Sequence, residues 1–174
     1  MTDLRHWGTT PQERAEPLPC DALLPDAAIV AHRAVDVAAP VAVAWRWLCQ
    51  LRAAPYSYDK LDNFASRSPQ RLTPGLDALE AGQVVMRVFR LRSFEQGRHL
   101  TLDHHGPMGR VVVTYATTPS GAGARYLMRL RWTPPGPRLL QHVLDPALVA
   151  GDWVMARRQL LNLRDLAERD AARR

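Results

Sequence analysis

The chain has 174 residues, 47% of them apolar, which predicts one domain with a real core and excludes a disordered protein. No apolar run approaches the roughly 18 residues of a membrane helix, so no integral membrane segment is expected. The formal charge of +6 comes almost wholly from arginine, with Lys60 the single lysine. These arginines are spread at strand and helix period, which marks solvated faces and argues against nucleic acid as a partner.

Residues 1–28 read as a loop-like extension that wraps the surface or stays mobile. Pro11, Pro17, Pro19 and Pro25 recur there without periodicity. Met1 to Trp7 holds no apolar signal core, which predicts a cytoplasmic protein. A single domain is expected over 29–172. Its first strand is Ile29 to Val37, with Ala31, Arg33, Val35 and Val37 on one face. Burial of the valines carries Arg33 inward. Pro40 suits the first turn of a short helix, with Val41, Ala44, Trp45 and Leu48 as its buried stripe. Pro55-Tyr56-Ser57-Tyr58-Asp59, continuing to Asn63, is the densest polar and aromatic cluster, and a short second helix is expected from about Ser57.

From Gln83 the pattern turns to β. Strands are expected over Val84–Arg92, Leu100–His104, Arg110–Thr117 and Arg125–Trp132, joined by short turns as an antiparallel meander. In the last strand Tyr126, Met128, Leu130 and Trp132 take one face. Arg125, Arg129 and Arg131 take the other. Pro134-Pro135-Gly136-Pro137 ends the meander. A long helix follows from Asp145 to about Ala172, with Asp145 as N-cap and Pro146 at the first helical position. Leu148, Val149, Met155, Ala156, Leu160, Leu163, Leu166 and Ala167 make its apolar stripe. At about 100° per residue, Asp152 and Gln159 fall inside that stripe. Polar groups on a buried face need partners or a reason. A sheet with one apolar face needs a cover, and this helix supplies it.

The opening Arg33-Ala34-Val35-Asp36-Val37, then Ala39-Pro40 and Val43-Ala44-Trp45-Arg46-Trp47-Leu48, resembles the start of the SRPBCC, or START-like, superfamily. That group includes polyketide cyclase/dehydrase-like proteins, lipid-transfer domains and the birch-pollen-allergen (Bet v 1-like) fold. Pro55 to Asp59 and the closing Gly151-Asp152, Met155 and Arg158-Gln159-Leu160 resemble a bacterial branch of it. The resemblance covers about residues 29–170. It implies an α+β helix-grip fold: a curved antiparallel sheet around the long C-terminal helix, with short helices after the first strand and a cavity between. Fold does not fix function.

The candidate site follows from the inward-looking residues. Arg33, Tyr126, Met128, Trp132, Asp152, Met155 and Gln159 are expected to line one volume, with Tyr56, Tyr58 and Asp59 at its mouth. There Arg33 would bind a carbonyl or carboxylate, Asp152 would accept a hydroxyl proton, and the aromatics would stack on an apolar body. The residues allow plainer roles as well. Arg33 pairs with Asp152 or with Asp59 in a structural ion pair. The aromatics are ordinary core, Asp59 and Asp62 are caps, and Gln159 bonds backbone. No metal ligand spacing, phosphate loop or nucleophile elbow occurs, and no cofactor is expected. Cys20 and Cys49 are expected as reduced thiols. The partner expected is a small hydrophobic molecule, lipid- or polyketide-like, held without chemical change. The alternative is a cyclase or aromatase using acid and base groups in the cavity. A protein-interaction module without a pocket stays open.

Overall fold

The computed structural model describes residues 4–59 and 66–173, and the side chains of 138–144 lie outside that description. The expected helix after Ser57 and the capping role of Asp62 fall largely on residues outside it.

The elements are β1 (His6–Trp7), α1 (Pro11–Ala15), α2 (Pro19–Leu23), β2 (Ile29–Val37) and α3 (Val41–Cys49), the last prolonged by a tight turn at Gln50–Arg52. Then come β3 (Val84–Val85), β4 (Phe89–Glu95), β5 (His99–Gly106), β6 (Gly109–Ser120), β7 (Gly123–Thr133) and α4 (Arg138–Ala171). The seven strands form one sheet in the order β1-β2-β7-β6-β5-β4-β3. β1 runs parallel to β2, and every other pair is antiparallel.

Strand register sorts the side chains into two faces. Ile29, Ala31 and Arg33 of β2 lie opposite Trp132, Leu130 and Met128 of β7. Those three in turn oppose Val111, Val113 and Tyr115 of β6. Directly opposed residues share a face, so these nine make the inner wall. α4 and α3 close against it, and α4 lies along β2. On α4, Val149, Ala156, Leu160, Leu163 and Ala167 are buried at helical spacing, as the stripe predicts. Full burial of a leucine such as Leu160 or Leu163 contributes about 1.5–3 kcal/mol, which is what holds the cover on.

Three local expectations are corrected. First, α4 begins at Arg138, with Pro137 at the N-cap, and Pro146 lies inside the helix. Asp-Pro resembles a helix start, but the backbone is already helical upstream of it. Asp145 does not cap; it is buried, and its carboxylate faces Arg5 at 3.7 Å. Second, the strand expected over Val84–Arg92 is broken. Met86 and Arg87 have φ of 46° and 65°, so the chain turns sharply between β3 and β4.

Third, the arginines of β7 do not face water. Arg129 is only 4% exposed. It donates to Asp21 and to the carbonyls of Glu13, Arg14 and Glu16 at 3.0, 3.1 and 2.8 Å. Those last two lie at the C-terminal end of α1, where carbonyls lack helical partners, and the arginine fork supplies them. Arg131 holds Asp21 at 2.9 Å and the carbonyls of Leu24 and Pro25, both at 2.7 Å. Arg125 reaches Glu13, Asp36 and the Gly8 carbonyl. The segment that precedes β2 is thus seated on the outer face of the sheet. Gly8 makes the approach feasible: its φ is +74°, and a Cβ there would sit 2.2 Å from the Ala34 carbonyl oxygen.

Candidate functional site

A cavity of about 380 Å³ lies between α4 and the inner wall. β6 and β7 supply Val113, Tyr115, Met128 and Leu130. The turn before β4 supplies Met86, Arg87 and Val88, and β4 itself supplies Phe89. α4 supplies Asp152, Met155, Ala156 and Gln159, and Pro55 and Ser57 complete the lining. The mouth is at the Met86–Val88 turn, where Val88 is 54% exposed.

Two polar couples bridge wall and helix. Arg33 donates to Asp152 Oδ2 at 2.7 Å, with the Arg33 side chain 0% and the Asp152 side chain 13% exposed. Arg33 also donates to the carbonyls of Arg5 and His32 at 2.9 and 3.1 Å. Burial pushes the Asp152 carboxyl above the usual carboxylate range, and the Arg33 guanidinium opposes that rise. Two turns along α4, Gln159 accepts from the Tyr115 hydroxyl at 2.6 Å. Its amide donates to the Pro55 carbonyl at 2.6 Å and to the Met86 sulfur at 3.2 Å. Burial, with the Asp152 charge second, holds the Tyr115 phenol well above its ordinary pKa.

Of the residues expected to line one volume, the fold gathers Met128, Asp152, Met155 and Gln159 around this cavity. Arg33 reaches it only through Asp152. Tyr126 shares the face of Met128 but lies under α3, its hydroxyl donating to the Ala44 carbonyl at 2.8 Å. Trp132 is buried at the other end of the strand and donates to the Met108 carbonyl at 2.7 Å. Tyr56 is fully buried and packs edge-on against Trp47. Asp59 does not meet Arg33; it accepts from the Ser68 amide at 2.9 Å and from the Ser68 hydroxyl. Tyr58 is exposed and outside the lining.

Tyr115, Met86, Phe89 and Leu130 line the cavity without having been singled out from the sequence. Tyr115 carried a usable signal, since it alternates with Val111 and Val113. Only the β6–β7 register sets it beside Met128. Among the described residues, no group of three or more His, Cys, Asp or Glu is placed to hold a metal ion. Nor is any described helix long and apolar enough to cross a membrane.

No family model and no curated protein matches the sequence. Solved structures do match the fold. TTHA0849 from Thermus thermophilus superimposes with a TM-score of 0.55 at 15% identity, over 82% of this chain and 99% of that one. KanY gives 0.53 at 16% identity, over 80% and 97%. The di-domain ARO/CYC StfQ from the steffimycin biosynthetic pathway gives 0.50 at 14% identity, over 87% of this chain and 54% of its own length. Identities this low speak for fold alone. With the sheet order, the covering α4 and the short helices around β2, they show that the chain has a helix-grip α+β fold.

Proposed function

We propose that this chain binds a small, mostly apolar molecule, lipid- or polyketide-like, in the cavity between α4 and the sheet. The observation that carries the proposal is the composition of that cavity. Its volume of about 380 Å³ and its Met, Val, Leu and Phe lining fit a ligand site: mostly apolar, with a few placed polar groups. Asp152, Tyr115 and Gln159 are those groups.

The polar couples favour holding a ligand over converting it. Cyclase-type chemistry needs an acid and a base free at one substrate position. Here one Asp152 oxygen is held by Arg33, and the Tyr115 proton is committed to Gln159.

The test is saturable binding of a neutral apolar fluorophore such as N-phenylnaphthylamine. Ala156→Trp and Met155→Trp each push an indole into the cavity. Both variants are expected to keep their circular dichroism and lose binding by about tenfold or more, since the same space cannot hold both. Folded variants that bind like the parent would place the ligand elsewhere. A parent chain that fails to bind would remove the proposal.

A further inference from the structure

We infer that the ligand of this cavity presents a hydrogen-bond donor, a hydroxyl or an amine, to Asp152, and that carboxylate-headed amphiphiles are rejected at that spot. The inference rests on the binding proposal above and deepens it. It comes from counting which donors and acceptors the lining has left.

The donors of the Gln159–Tyr115 couple are spent, and the Ser57 hydroxyl and Arg87 are the other side-chain donors in the lining. Both amide hydrogens of Gln159 are taken by the Pro55 carbonyl and the Met86 sulfur. The Tyr115 hydroxyl hydrogen goes to Gln159 Oε1. The Arg33 guanidinium is wholly buried and outside the lining, and its terminal nitrogens hold Asp152 and two backbone carbonyls. Arg87 is in the lining and is exposed.

The acceptors are not spent. Asp152 Oδ2 receives Arg33, while Oδ1 has no hydrogen bond among the described residues. Asp152 lines the cavity and is otherwise shielded from solvent. Tyr115 Oη and Gln159 Oε1 each keep a lone pair as well. This part of the cavity is therefore an acceptor surface, built on a carboxylate whose other oxygen is held by Arg33. A ligand that donates there satisfies Oδ1. A ligand that brings only acceptors leaves a buried carboxylate oxygen desolvated and unmatched, and a carboxylate adds like-charge repulsion. At about 30 Å³ for a water-sized group, the volume suits a ligand of about a dozen heavy atoms.

Decanol, its isomer methyl nonyl ether, and decanoate are the matched probes, titrated calorimetrically near neutral pH. Decanol is expected to bind about tenfold or more tighter than the ether, the value of a hydrogen bond to a charged group. Decanoate is expected to bind weaker than decanol by a similar factor. Asp152→Asn keeps the contact to Arg33 and turns an amide N–H to the cavity. It should erase the preference for decanol over the ether. Equal affinities in the parent, or decanoate the tightest, would overturn the donor inference and leave the cavity in place. A parent that binds none of the three while N-phenylnaphthylamine also fails would sink the binding proposal itself.

Discussion

Replacing Asp152 with leucine tests the link between site and stability. The Arg33 side chain is 0% exposed, and its one carboxylate partner among the described contacts lies at 2.7 Å. Removing one member of a buried pair costs about 3–5 kcal/mol, because the surviving charge remains out of water. Arg33 keeps the Arg5 and His32 carbonyls, which puts the expectation at the lower end, about 3 kcal/mol. For a domain of this size each kcal/mol moves Tm by about 2–4 °C, so a fall of about 6–12 °C is expected. The double variant Arg33→Met with Asp152→Leu removes both charges and should recover most of the loss. Urea unfolding of the parent, the two single variants and the double variant completes a thermodynamic cycle. A single-variant loss under about 1 kcal/mol, or strictly additive losses, would refute the reasoning that this pair is a buried, mutually dependent unit.

Gln159→Leu should destabilise by about 1–3 kcal/mol, because it orphans the buried Tyr115 hydroxyl and the Pro55 carbonyl together; Tyr115→Phe should cost less, and chemical denaturation distinguishes the two. Asp21→Ala strips the carboxylate shared by Arg129 and Arg131 and should cost about 2–3 kcal/mol. Deleting residues 1–27 should cost more still, and a truncated domain with the parent's urea midpoint would show that the seated segment adds nothing. His32 is held at a pKa of about 4 against an ordinary 6.5, by burial first and then by Arg129, His6 and Arg14, with Asp21 opposing. A depressed folded pKa means that stability is full above pH 6.5 and falls as pH drops through 4. Thermal melts across that window should slope downward in the parent and flatten in His32→Gln.

Periodicity alone settled a good part of this protein. Alternation over Ile29–Val37 placed β2 at its observed bounds and turned Arg33 inward. Helical spacing marked the stripe of α4 and picked out Asp152 and Gln159 as polar residues on a buried face. These are properties of neighbours in the chain, and local geometry repeats every two residues in a strand and every 3.6 in a helix.

Tertiary structure decided the rest. Alternation puts Tyr126, Met128 and Trp132 on one face. Only Met128 lines the cavity, because membership depends on height along the strand relative to α4 and α3. Tyr115 becomes the partner of Gln159 through strand register, across 44 residues of sequence. The arginine face of β7 looks solvated in any local pattern. It is covered because Asp21, 108 residues earlier than Arg129, arrives on it. The sharp turn at Met86 and Arg87 holds no glycine to announce it, yet it shapes the cavity mouth. A sequence declares which residues prefer to be buried; which buried residues meet, and which donors remain unspent when they do, is set only once distant segments pack together.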